Sequence, residues 1–207
     1  MISSTQSHER YALSFTSGGL LVREAGVIVS QYLLVRDWAT VRQTATEQNL
    51  LQARTTSSSV RVIRETIQRL CVLEDAELEF FVESSLTEQC HLLWAAACRR
   101  YCLIGDFAEE VVRERFLLMT PALELEDFER FITRKSLWHT ELDELKPSTR
   151  AKLRQNAFRM LHEAGLLSEQ GDIVPAVLSG RVHKTLAART PSDIRFFPTY
   201  LQIEVQR

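Results

Sequence analysis

Apolar residues recur at helical spacing along most of this chain, and the sharpest instance lies between Asn49 and Leu73. A Thr-Thr-Ser-Ser-Ser run from Thr55 supplies an N-cap. Behind it Val60, Ile63, Ile67 and Leu70 fall at i, i+3, i+7 and i+10, one apolar stripe of an α-helix. This pattern predicts that Ser58, Arg61, Glu65 and Arg69 face outward, with Arg64 on the flank. The second helix of a helix-turn-helix is built this way, its hydroxyl-rich start and arginines free to meet phosphates and base edges. A solvated helix with a Glu65–Arg69 i,i+4 ion pair is the plainer reading, and the stretch alone favours it.

The rest of the chain reads as further helices. Residues 1–10 are polar and loose, Tyr11 to Phe15 is a short extended piece, and Thr16-Ser17-Gly18-Gly19 is a turn. Gly18-Gly19 lacks the third glycine of a dinucleotide fingerprint and the Gly-Lys-Ser/Thr of a P-loop, so it reads as a helix cap. Leu20 to Val35 is a buried helix, and Asp37 caps a second one carrying Trp38, Val41 and Ala45 on one face. An acidic segment (Glu74, Asp75, Glu77, Glu79, Glu83) follows. Thr87-Glu88 then opens a helix that is apolar nearly all round, the expected centre of a bundle. Asp106 begins another helix, ended by Thr120-Pro121, and residues 124–137 form an amphipathic one.

A second informative helix starts at Pro147-Ser148 and has Gly165 as its C′ residue. Leu153, Ala157, Met160, Leu161 and Ala164 face inward; Lys152, Gln155, Arg159 and His162 face outward, with Arg154 on the flank. Lys146 to Arg159 holds five basic residues and no acid. Leu166-Leu167, a Glu-Gln-Gly-Asp turn and Ile173-Val174 then outline a small β-wing. At an offset of 90 residues Ile63-Arg64 matches Leu153-Arg154, Ile67 matches Ala157, and Arg69-Leu70 matches Arg159-Met160, the pattern of two related basic units. One more helix and an extended end complete the chain. The fold class is therefore mainly α: a helical bundle with two helix-turn-helix or winged-helix-like units and at most a small wing. The expected organisation is an N-terminal unit 1–75, a helical core 76–140 and a C-terminal unit 141–207.

Composition changes this picture little. The 207 residues are 45% hydrophobic and 25% charged, with 7 Gly and 5 Pro, as in a globular, largely helical chain. The net charge of -2 argues mildly against a dedicated nucleic-acid binder and makes local charge segregation the feature to follow. Cys71, Cys90, Cys98 and Cys102 form no C-x-x-C pair and read as buried free thiols in a reducing compartment. No secretory signal or spanning segment is visible, so a cytoplasmic protein with no membrane contact is expected.

Several runs together resemble a known family. They include Gly18-Gly19-Leu20, Asp37-Trp38, Asn49-Leu50-Leu51-Gln52-Ala53-Arg54-Thr55 and Arg61-Val62-Ile63-Arg64-Glu65. Further matching runs are Leu93-Trp94-Ala95, Asp106-Phe107-Ala108-Glu109-Glu110-Val111 and Trp138-His139-Thr140-Glu141-Leu142. The last are Ser148-Thr149-Arg150-Ala151-Lys152-Leu153-Arg154 and Glu163-Ala164-Gly165-Leu166-Leu167. Together, over roughly residues 10–200, they resemble the BrxA component of bacteriophage-exclusion (BREX) defence systems. The resemblance implies a small, mostly helical, non-enzymatic protein that binds double-stranded DNA. It also implies a chain encoded with a methyltransferase and ATPases, which become candidate partners.

Helix geometry then selects the expected DNA contacts. Arg54, Arg61, Arg64, Arg150, Lys152 and Arg154 would neutralise phosphates, Ser58, Gln155 or Arg61 would touch base edges, and Arg159 extends the second face. For Arg64 a structural pair with a nearby acid is slightly the better reading. The alternative function is a protein-interaction scaffold, with acidic faces at 74–88 and 124–129 docking a basic partner. Catalysis is the weakest reading. His91, His139, His162 and His183 are far apart, and only Asp106, Glu109 and Glu110 form a cluster. No cofactor, metal or catalytic residue is expected.

Overall fold

A computed structural model describes residues 10–15 and 18–200. The N-terminal residues 1–9, Thr16-Ser17 of the expected turn, and residues 201–207 lie outside the described residues. The chain is mainly α-helical, and the described residues contain no β-strand, only two isolated antiparallel bridges.

The first five helices follow the apolar periodicity closely: α1 (Val22–Val35), α2 (Trp38–Glu47), α3 (Thr56–Leu70), α4 (Asp75–Glu83) and α5 (Leu86–Arg100). Arg36, in the left-handed region at φ 52, ends α1, and Asp37 caps α2 by accepting the Thr40 N–H at 2.7 Å. Ser85 and Glu88 form a capping box that starts α5 one residue before the expected Thr87. In α5 nine consecutive residues, Cys90 to Cys98, are buried. Helices α1, α3 and α4 and the later helices Pro147–Glu163 and Gly180–Ala187 pack around it, which is why no polar face was written into its sequence.

The helix expected from Asp106 begins earlier. α6 (Cys102–Phe107) runs into a π-helical stretch, Ala108–Arg113, and on into α7 (Glu114–Leu117). Asp106, Glu109 and Glu110 are therefore inside a helix and not at its N-terminus. Next come α8 (Leu125–Lys135), α9 (Thr140–Asp143) and α10 (Pro147–Glu163), with Pro147 in the first turn of α10 and Gly165 at φ 69 beyond its end. Phe107 meets Phe128 and Phe131 at centroid distances of 5.1 and 5.4 Å. Such pairs add about 0.5–1.5 kcal/mol each beyond burial.

After α10 the chain turns back on itself. Leu167 bridges Ile173 and Ala122 bridges Asp172, while Val174 donates to Leu166 O at 2.9 Å and Ile173 to Pro121 O at 2.7 Å. Residues 166–174 thus form a minimal turn-back touching residues 121–123. The final helix α11 is shorter than expected, Gly180–Ala187, and residues 193–197 return to the core, where Trp94 Nε1 donates to Phe196 O at 2.9 Å. One cluster of buried apolar side chains runs from Tyr11 to Phe197.

The segment before α1 ties the two ends of the chain together. Tyr11 N–H donates to Glu141 at 2.7 Å, and Asn156 donates to Phe15 O at 2.9 Å. Leu20 N–H donates to Glu163 at 2.5 Å. The Glu163 carboxylate occupies the space that a side chain on residue 19 would need, so a larger residue there would have to displace it.

Candidate nucleic-acid interface

Helix α3 is placed by the turn before it. Asn49, at φ 45, accepts the Ala53 N–H at 3.1 Å and the Ser59 hydroxyl at 3.4 Å, closing the 49–53 loop onto the helix. Thr55 then caps α3 by accepting the Ser58 N–H at 3.3 Å, as the hydroxyl run predicts.

The outward face of α3 differs from the expected one. Ile63, Ile67 and Leu70 are buried, but Val60 is 44% exposed, whereas Glu65 and Arg69 are 5% and 1% exposed. The i,i+4 pair is real and inside the protein: Arg69 Nη2 donates to Glu65 Oε1 at 2.8 Å and Arg69 Nη1 donates to Gly19 O at 2.5 Å. Tyr101 OH also donates to Glu65, at 2.5 Å, and burial together with this bond raises the tyrosine pKa. The reason is topological. α3 lies against α1 and α2 as well as α5, so more than one side of it is covered. The exposed arc that remains carries Ser57, Val60, Arg61 and Arg64, with Ser58 half-buried at its edge.

Arg64, assigned to the flank, therefore stands in mid-face. Arg54, Arg61 and Arg64 have no carboxylate within ion-pair distance among the described residues, and neither does Arg42 on α2. Arg42 also opposes the burial that raises the Cys71 thiol pKa, which places its charge toward the end of α3.

The basic residues of α10 are differently placed. Arg150 Nε donates to Glu129 at 2.5 Å and Arg154 Nη1 to the other Glu129 oxygen at 2.7 Å, so one carboxylate on α8 holds both. Arg159 donates to Glu163 at 2.7 Å, and Lys152 reaches only Gln155, at 3.1 Å. The inner stripe, Leu153, Ala157, Met160, Leu161 and Ala164, is buried as expected, while Lys152, Gln155, Arg159 and His162 are exposed. The proposed correspondence between the helices thus survives at apolar positions and not at the cations: Arg69 is buried, whereas its counterpart Arg159 is exposed.

The acidic segments are largely neutralised from within. Glu77 meets Arg99 at 2.7 Å and Arg189 at 3.3 Å, and Asp127 meets Arg115 and Arg130 at 3.0 and 2.7 Å. Asp106 binds Lys135 at 2.7 Å and Tyr11 OH at 2.5 Å, Glu110 binds Lys135 and Arg134, and Glu109 binds Arg195. Among the described residues no group of three His, Cys, Asp or Glu side chains is arranged to hold a metal ion. Of the four cysteines, Cys90 and Cys98 are buried, but Cys71, just past the end of α3, and Cys102, the first residue of α6, are exposed. His91 is buried edge-on to Phe197, and burial lowers its pKa. No helix of the described residues is long and apolar enough to cross a membrane.

Three comparisons bear on identity. No curated protein matches the chain. A crystal structure of an uncharacterized protein from Magnetospirillum magneticum is similar in fold, with a TM-score of 0.79 at 23% identity, covering 91% of this chain and 99% of that one. The model of the BrxA family matches residues 9–190, most of the length. The chain belongs to the BrxA family.

Proposed function

We propose that this protein serves BREX anti-phage defence by binding double-stranded DNA without catalysis, mainly through the exposed arc of α3. One observation carries the reading: Arg54, Arg61 and Arg64, and Arg42 on α2 toward the end of α3, are exposed and have no carboxylate partner among the described residues. Arg36, Arg99, Arg115 and Arg150 are ion-paired, while exposed Arg23 meets Gln52 in the turn before α3. Unpaired guanidinium groups around a hydroxyl-rich helix start are what a phosphate backbone needs. The order α8, α9, α10 and minimal turn-back supports reading the C-terminal part as winged-helix-like, with α3 carrying the main DNA contact. The other proteins of the system, a methyltransferase and ATPases, are the proposed partners.

A salt titration tests the reading. Four phosphate contacts give a slope of log affinity on log salt of about -3.6. With a random 30-base-pair duplex, Arg61→Glu/Arg64→Glu should lower affinity at least tenfold and flatten the slope by about 2, with Lys152→Glu having a smaller effect. Unaltered binding in the double variant refutes the assignment to α3.

A further inference from the structure

We propose that the outward face of α10 is a docking groove for a partner protein, and that its occupant is an amphipathic α-helix with an apolar stripe flanked by acidic residues. An open groove of about 840 Å³ runs between α10 and the first turn of α8. It extends from Ser148 to His162, roughly 21 Å at 1.5 Å per residue, the length of a four-turn helix. Phe158, which packs on Phe107, lies at its floor, and Leu125 of α8, 45% exposed, and Ala151 of α10 add apolar lining. An apolar recess of this length, open to solvent, matches the helix-in-groove mode of recognition.

The charge on the rim selects the occupant. Lys152, Arg154, Arg159 and His162 line the groove, and Glu163 is the single acid among its ten lining residues. Arg154 is held by Glu129 and Arg159 by Glu163, so their guanidinium groups are fixed in place before anything binds. An acidic flank on the incoming helix finds these positions without ordering them, which lowers the entropy lost on binding. DNA fits the same place less well. A duplex presents a phosphate-walled groove that receives a protruding helix, not a recess beside one. Phosphates would also leave exposed Ala151 and Leu125 without apolar cover and would compete with Glu129 for Arg154.

The proposal is independent of the α3 reading, and one set of variants separates the two. The probe is a fluorescent 16-residue helical peptide with leucines at i, i+3, i+7 and i+10 and glutamates on both flanks, titrated into the full chain at physiological salt. The controls are a scrambled peptide of equal composition and the 30-base-pair duplex. Binding at least tenfold tighter than the scrambled peptide is expected. Leu125→Glu/Ala151→Glu should abolish that preference and leave duplex affinity within twofold, and Arg61→Glu/Arg64→Glu should do the reverse. Both substituted groove residues are exposed, and an unchanged thermal melting curve verifies the fold. Equal binding of both peptides, no peptide binding, or loss of duplex affinity in Leu125→Glu/Ala151→Glu would each overturn the proposal, the last by giving the groove to DNA.

Discussion

Replacing Arg69 by alanine is the most direct test of the buried network between α3, α5 and the N-terminal segment. Arg69 is 1% exposed and donates two bonds to Glu65 Oε1, at 3.0 and 2.8 Å, and one to Gly19 O at 2.5 Å. Its removal leaves the Glu65 carboxylate buried with Tyr101 OH as its remaining donor and the Gly19 carbonyl without one. Breaking a buried pair costs about 3–5 kcal/mol. A buried carbonyl left bare costs about 1–3 kcal/mol. The two overlap, since water entering the vacated space serves both groups, so the expected loss is about 4 kcal/mol. For a chain of this size that lowers Tm by roughly 8–16 °C. Urea and thermal unfolding of Arg69→Ala, with exposed Arg61→Ala as the reference at about 0.5 kcal/mol or less, measure the difference. The triple variant Glu65→Leu/Arg69→Met/Tyr101→Phe, which removes the three polar side chains at similar volume and leaves only the Gly19 carbonyl bare, should recover the part of the loss that comes from the buried carboxylate. If Arg69→Ala and Arg61→Ala melt together, Arg69 faces solvent and the network reasoning fails.

Three further outcomes follow from the geometry. Gly19→Ala should evict the Glu163 carboxylate and cost about 1–2 kcal/mol for the Leu20 N–H it leaves unbonded; the added Glu163→Ala change should make Gly19→Ala nearly neutral, as differential scanning calorimetry would show. Glu129→Gln should loosen Arg150 and Arg154 and, with both away from the duplex, leave low-salt DNA affinity within twofold; a clear rise would bring α10 to the DNA. Burial pushes the Glu77 carboxyl up, but Arg99, the Glu74 N–H and Arg189 together hold it below its usual value of 4.5. A depressed carboxyl stabilises the fold above pH 4.5 and loses that contribution as pH falls through its lower folded value. Glu77→Gln should therefore weaken the protein at pH 7 in urea and flatten its acid sensitivity below pH 4.5, and an unchanged acid profile would contradict the pairing.

The helical fold was legible because most helices bury one stripe, as in α10, where every expected inner residue is buried. α5 was legible for the opposite reason, having no polar face to show. The exposed arc of α3 was misread because periodicity sends charge outward, whereas Glu65 and Arg69 satisfy each other and the Tyr101 hydroxyl inside. Nothing local announces that: the partners come from residues 19 and 101. The same limit applies on α10, where Arg150 and Arg154 look free along the helix and are claimed by Glu129, one turn into α8. A basic run records how many cations are present, and the acids of other helices determine how many remain available.

The pairing of residues 11–20 with 141–163 also bears on how the chain is made. Tyr11, Phe15 and Leu20 find their hydrogen-bond partners 130, 141 and 143 residues later. At about 5–20 residues per second, a ribosome needs roughly 7–30 s to deliver Glu163 after Leu20 has emerged. Through that interval Phe15 and Leu20, both destined for the core, have no C-terminal helix to meet. These apolar side chains therefore wait without that cover until Glu163 has been made, and chaperone capture of stalled chains shorter than about 160 residues is the expected consequence.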